Sequence, residues 1–191
     1  TFRWSLQNFA QSTDVATMST IELPSGVKAS LMREVGVAGE LKNGGTYMIF
    51  ADAGGYNTYC LENVGGTLML VKRTPSELTK DNIFKFEKTQ ESGANGSYNS
   101  CSYGRLMRVS GSAYLRENFG FTSTQGNAVS LQIKNRYGTE TGHDIDITNA
   151  RGQYLLYNAI GSNTSVNLTW GGAGARYKWY IYPVNPELIP D

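Results

Sequence analysis

One short pattern occurs three times in this chain of 191 residues: Tyr59-Cys-Leu-Glu-Asn63, Tyr114-Leu-Arg-Glu-Asn118 and Tyr154-Leu-Leu-Tyr-Asn158. Each copy follows a β-rich run containing Ile49–Ala51, Met107–Val109 or Ile145–Ile147, and each leads into a Gly-containing turn. A repeat of this length sets the architecture, because each copy is one supersecondary unit that buries its apolar face against its neighbours. Three such units predict a pseudo-threefold all-β domain. That scaffold offers binding surfaces more readily than a catalytic cleft.

Each unit divides into four predicted strands. The first begins at the hairpin-type turn Asn43-Gly-Gly and has strands starting at Thr46, Tyr59, Thr67 and Asn82. The second has strands from Arg105, Ala113, Phe121 and Ala128, and the third from Asp144, Gln153, Ser165 and Tyr177. Every unit closes on an apolar-x-apolar strand: Phe84-Lys-Phe86, Leu131-Gln-Ile133 and Trp179-Tyr-Ile181. Period-2 alternation places those side chains on one buried face. Tyr59 to Phe84 and Tyr154 to Trp179 both span 25 residues, so the two units share a register on the Tyr-x-x-x-Asn pattern. The only helix-like stretch is Ser76-Glu-Leu-Thr, in the loop between Arg73 and Asp81. A Gly-, Ser- and Asn-rich linker runs from Glu91 to Tyr103.

Twelve strands in three four-stranded units is the strand count of a β-trefoil, with six strands in a short barrel and six in hairpins that cap it. The chain resembles the β-trefoil superfamily, in particular ricin-type lectin domains, over residues 43–184. The resemblance rests on the threefold pattern, the Tyr-Leu strand after a turn, and the aromatic fourth strand. Where that family ends each repeat with Gln-x-Trp, this chain has Tyr177-Lys-Trp179 once and only apolar Phe84 and Leu131 elsewhere. Asn43-Gly-Gly-Thr-Tyr47 is also similar to the opening strand of Kunitz-type trypsin inhibitors, another β-trefoil family. Residues 1–42 are expected to be an N-terminal extension or the tail of a preceding domain, and 185–191 a C-terminal tail.

Composition narrows the functions. Seventeen Lys+Arg against 16 Asp+Glu leave a net charge of +1, which gives no electrostatic footprint for nucleic acid. No apolar run approaches the roughly 18 residues of a membrane span, so membrane insertion is not expected. The 22 glycines and 12 tyrosines, with few charges, suit tight turns between short strands and resemble secreted or surface proteins. The chain opens on Thr1 without Met or a signal peptide, and is therefore expected to be a processed or excised form. Aligned on the repeat, Cys60 falls level with Leu115 and Leu155, which reads as a buried thiol. A Cys60–Cys101 disulfide, in an oxidising compartment, is the alternative.

Chemistry other than binding finds little support. The single histidine, His143, leaves no triad and no His-rich metal site. Asp144 and Asp146 share a strand face and do not flank a cleft as glycoside hydrolysis requires. No phosphate loop, EF-hand or zinc spacing is present, so neither a cofactor nor a metal is expected. Asn95-Gly-Ser, Asn163-Thr-Ser and Asn167-Leu-Thr are glycosylation sequons. The Tyr-x-x-x-Asn residues themselves read as scaffold, with a packed ring and a turn-closing amide.

Sugar recognition needs an aromatic face and planar polar groups that bond hydroxyls in pairs. The resemblance to ricin-type domains implies an acidic position after the first strand of each repeat, here Asp52, Ser110 and Asn149. Asp52, Tyr56 and Asn57 form one candidate set, and Asn149, Arg151, Tyr157 and Trp170 another. The second unit has the poorest set. The expected function is a non-enzymatic, lectin-like module of a secreted or cell-surface protein, with a carbohydrate or glycoconjugate as partner. The alternative is a protein-binding β-trefoil, such as a protease inhibitor or an adhesin or pilus component, using the loop Arg73-Thr-Pro-Ser-Glu.

Overall fold

The computed structural model describes residues 20–22, 28–30, 41–51, 53, 58–92, 101–135 and 145–189. Among them are fifteen strands and four short 3-10 turns, with no α-helix. A hairpin of β1 (Thr20–Glu22) and β2 (Lys28–Ser30) precedes the repeats. The first unit holds β3 (Thr46–Ala51), β4 (Tyr59–Val64), β5 (Thr67–Lys72) and β6 (Phe84–Ser92). The second holds β7 (Cys101–Arg108), β8 (Tyr114–Leu115), β9 (Phe121–Thr122) and β10 (Leu131–Asn135). The third holds β11 (Ile145–Thr148), β12 (Tyr154–Tyr157), β13 (Ser165–Val166), β14 (Leu168–Gly171) and β15 (Trp179–Pro183).

Six strands close a ring of antiparallel pairs: β3 with β15, β15 with β11, β11 with β10, β10 with β7, β7 with β6, and β6 with β3. Closure leaves no open edge in the barrel. The other strands form one hairpin per unit, β4–β5, β8–β9 and β12–β14, with β13 paired to β5. Backbone bonds tie hairpin to hairpin, from Leu68 N to Phe119 O and from Lys72 N to Thr164 O, both 2.7 Å. The expected all-β, threefold architecture is the one observed.

The ladder register gives the true repeat. Tyr47 lies opposite Phe84, Gly104 opposite Leu131, and Ile145 opposite Trp179. Two residues on, Ile49, Leu106 and Ile147 face Ile181, Phe86 and Ile133 of the neighbouring strands. The hairpins follow with Phe50 opposite Cys60, Met107 opposite Tyr114, and Thr148 opposite Tyr154. Cys60 is therefore level with the two tyrosines, and Leu61 with Leu115 and Leu155. The first Tyr-x-x-x-Asn copy is one residue out of step, and the equal 25-residue spacings are a coincidence of loop length. Register is fixed by which side chains enter the core, and a one-residue slip would turn Leu61 outward.

Leu61, Leu115 and Leu155 meet Ile49, Leu106 and Ile147 inside the barrel, where only about 10 Å3 of apolar space remains between them. That is at the lower limit for a single water, and the apolar lining offers a water no polar partner. A second core lies outside the barrel wall: Met48, Phe50, Tyr180 and Tyr182 are buried with Cys60, Leu78, Ile83, Val184 and Ile189. Both faces of β3 and β15 are thus covered, which explains their unbroken apolar runs Tyr-Met-Ile-Phe-Ala and Trp-Tyr-Ile-Tyr. The cover is the 74–83 loop, with 3-10 turns Pro75–Glu77 and Lys80–Asn82, together with the C-terminal turn Pro186–Leu188. The helix-like stretch expected near Ser76 is the first of these turns.

Two expectations differ from the structure in detail. Cys101–Tyr103, expected in a linker, belongs to β7 and pairs with β6 and β10. The third strand of the last unit is broken at Asn167 into β13 and β14, which pair with different hairpins. Residues 93–100, the sequon at Asn95, His143 and Asp144 lie outside the described residues. Both cysteines are free and buried, as the thiol reading expects. Burial pushes the Cys60 thiol far above its ordinary value, and the Glu62 carboxylate pushes the same way.

Gly104 is forced by close packing. A Cβ there would meet the Glu87 carbonyl and lie 2.6 Å from Cζ of Phe86, whose ring fills the space that Tyr47 and Ile145 fill in the other units. Gly104→Ala is expected to destabilise the fold by about 1–3 kcal/mol in denaturant unfolding. Gly126→Ala, at an open position with ordinary φ, is expected to change little. Equal effects would remove the packing argument. Ellman's reagent is expected to label neither cysteine in the native protein and both after denaturation.

Candidate functional site

The third unit's candidate residues separate into core and surface. Tyr157 is 5% exposed, and its ring packs edge-on against Trp179 with centroids 5.8 Å apart. It cannot meet a sugar, and its place in the candidate set is corrected to the core. Asn149 is 2% exposed and fully engaged within the turn. Its Oδ1 accepts from Arg151 N (3.1 Å) and Gln153 N (2.9 Å), and its Nδ2 donates to Gln153 Oε1 (3.0 Å) and Glu117 Oε1 (3.1 Å). It is a turn lock and a positioning residue, not a ligand contact. The ladder also puts Ala51 and Arg108 level with Asn149, so Ser110 sits two positions further on. Asp52, Tyr56 and Asn57 lie outside the described residues.

Arg151 and Trp170 do come together, around a residue the sequence reading passed over. Arg151 Nη2 lies 2.8 Å from Glu117 Oε1, with side chains 65% and 46% exposed. The Trp170 indole N–H donates to the Glu117 carbonyl at 2.8 Å. Trp170 stacks on Phe119 with centroids 5.4 Å apart and planes 15° from parallel. Carboxylate, guanidinium and stacked rings thus share the seam between the second and third units. Glu117 lies inside the second Tyr-x-x-x-Asn copy, at a variable position between its Tyr and its Asn.

The turn carrying Glu117 is unusual. Phe119 has φ +69°, the left-handed region that a bulky residue enters at a cost of about 1–2 kcal/mol. Three backbone bonds hold it there: Phe119 N to Arg116 O (3.0 Å), Arg116 N to Gly120 O (2.8 Å), and Leu68 N to Phe119 O (2.7 Å). Asn118 Oδ1 adds a bond from Gly120 N at 3.0 Å. The conformation swings the Phe119 ring against Trp170. Stacking contributes about 0.5–1.5 kcal/mol, which offsets much of the strain.

A second polar cluster joins β6 of the first unit to the second unit. Glu87 accepts from Arg105 Nη1 (2.7 Å), Gln125 Nε2 (2.7 Å) and the Tyr114 hydroxyl (2.9 Å). Partial burial raises the Glu87 carboxyl, but the bonds from Tyr114, Gln125 and Arg105 outweigh it and hold the group below the usual range. Glu87 correspondingly raises the Tyr114 hydroxyl. The loop considered for protein binding is anchored: Arg73 reaches Glu62 through two bonds of 2.8 and 3.1 Å, and Asn82 Nδ2 donates to the same carboxylate at 3.0 Å. Its cation is turned back onto the β4–β5 hairpin.

No protein-family model matches the chain, and no curated protein matches it in sequence. Solved structures do. A designed 3-fold symmetric protein, ThreeFoil, is similar at 11% identity and TM-score 0.51, over 73% of this chain and 99% of that one. The S. cerevisiae protein O-mannosyltransferase Pmt1-Pmt2 complex bound to the sugar donor is similar at 13% identity and TM-score 0.54. That match covers 93% of this chain and 30% of the other, so this chain spans under a third of that protein's length. A Caenorhabditis elegans protein of unknown function aligns at 10% identity and TM-score 0.49, over 73% and 93%. The likeness to ThreeFoil, with the closed six-strand ring and its three capping hairpins, shows a β-trefoil-like fold.

Glu87 supplies a pH test. Its folded pKa lies below the unfolded value, so its contribution is fully present above that value. It is lost as the pH falls from about 4.5 through the lowered folded pKa. Glu87→Gln is expected to flatten the acid limb of the stability–pH curve below about pH 5. An unchanged slope would remove the assigned role of the three bonds.

Proposed function

We propose that the chain is a non-enzymatic, carbohydrate-binding β-trefoil module whose contacts centre on the seam between the second and third units. The observation that carries this reading is the exposed Glu117–Arg151 pair beside the stacked Phe119 and Trp170. A carboxylate and a guanidinium side by side accept from and donate to vicinal hydroxyls, and the half-buried Phe119 and Trp170 rings beside them supply apolar surface for a pyranose. An exposed ion pair contributes only about 0–1 kcal/mol to stability, so exchanging it for sugar hydroxyls costs the fold little. Asn149 holds Arg151 N and the Glu117 carboxylate, and so fixes the spacing of the two groups.

A secreted or cell-surface setting accords with the low charge and the Gly-, Tyr- and Asn-rich sequence. A shallow site binds weakly, so a repeated ligand or a linked module would raise avidity.

Glycan-array binding is expected, and Arg151→Ala and Glu117→Gln are each expected to weaken it by about tenfold with the fold intact. Both side chains are exposed, so neither substitution disturbs the core. Trp170 is a poorer choice because it also lines the barrel interior. Absence of binding across a broad array by the folded protein would overturn the reading.

A further inference from the structure

We infer that the groove between β5 and the third unit's hairpin is a second site, which takes a neutral polyhydroxylated ligand such as a sugar ring through the side-chain amides of Asn158, Asn163 and Asn167. The groove holds about 320 Å3 and is lined by these amides, Ser165 and the half-buried Met69. That volume is at the lower end of small-molecule sites, about 300–1,000 Å3. No acidic or basic residue lines it.

The amides stand out by what they do not do. Asn43, Asn63, Asn82, Asn118, Asn149 and Asn185 each use the side-chain oxygen to hold a backbone N–H. The side chains of Asn158, Asn163 and Asn167 have no hydrogen-bond partner among the described residues, and all three face one groove. Gln90 and Asn127 also lack a side-chain partner among the described residues, and neither lines this groove. Each free amide presents a coplanar donor and acceptor, the arrangement that bonds two adjacent hydroxyls at once.

Their backbone is fixed although their side chains are free. Asn158 N donates to Asn167 O at 3.0 Å, and Asn163 N to Ile160 O at 2.9 Å. Ser165 and Val166 pair with Val71 and Leu70 of the first unit. The amides are therefore mounted on a frame that joins two units, which limits the entropy lost on binding. Met69 supplies an adaptable apolar contact. With neutral donors and acceptors alone, the groove favours hydroxyls over carboxylates or phosphates, and its affinity is independent of salt.

This proposal extends the carbohydrate reading to a second site and shares no lining residue with the Glu117 seam. Two of its amides begin the sequons Asn163-Thr-Ser and Asn167-Leu-Thr, so the test uses unglycosylated protein from bacteria. Glucose, galactose, mannose and N-acetylglucosamine are titrated against 15N-labelled protein, with the side-chain signals of the asparagines and of Arg151 followed separately. Saturable shifts of the three amides are expected for at least one sugar, unchanged between low and high salt. Asn163→Ala with Asn167→Ala is expected to weaken that response by about tenfold or more while leaving the Arg151 response intact. Shifts at Arg151 without shifts at the amides would overturn the second site and keep the first. Shifts at the amides alone would do the reverse. No saturable shift at the amides up to about 100 mM of any of the four sugars, well above millimolar affinity, also overturns the second site.

Discussion

The fold depends on one packing event, the meeting of Leu61, Leu115 and Leu155 with Ile49, Leu106 and Ile147 inside the barrel. Each hairpin contributes one leucine and each first strand one β-branched or leucine side chain, so no unit can bury its apolar face alone. The ring of six strands can close only when all three units deliver these residues in the same register. A one-residue slip in any unit would exchange a leucine for a neighbour built for the other face. The second unit shows how tightly this is held. There the position two residues before Leu106 is Gly104, because Phe86 reaches across to occupy that space.

That constraint explains what the sequence revealed and what it hid. The apolar-x-apolar closing strands lie in the ladder as they were aligned, since Phe84, Leu131 and Trp179 face equivalent partners. The Tyr-x-x-x-Asn pattern found the units but misplaced the first by one residue. Tyr59 sends its hydroxyl to the Asn163 carbonyl at 3.4 Å, whereas Tyr114 bonds Glu87 and Tyr154 packs on Tyr177. Like residues in unlike roles give a convincing alignment with the wrong register. The conserved element is the leucine one position on, which composition alone does not distinguish from Cys60.

The candidate site was legible only in part, for a related reason. Arg151 and Trp170 were visible as the charged and aromatic members of a turn-rich unit. Glu117 and Phe119 come from a different unit, and nothing in one repeat announces its contact with the next. Asn149 and Tyr157 have the chemistry of sugar contacts, but burial and bonding decide use. Asn149 has every side-chain atom engaged within its turn, and Tyr157 lies against Trp179. Residue type proposes a ligand contact, and solvent access disposes of it.

Threefold symmetry also limits where function can lie. The barrel positions must remain equivalent for the ring to close, so departures from symmetry collect where units meet. Both proposed sites fall there: Glu117, Phe119, Arg151 and Trp170 between the second and third units, and the asparagine groove between the first and third. At such seams a side chain is positioned by one unit's turn and supported by its neighbour's strand, as Leu68 N supports Phe119 O and Val71 supports Ser165. Part of that support comes from backbone bonds, which do not depend on side-chain identity. Side chains at the seams are therefore free to differ from unit to unit while the leucines at the axis are not.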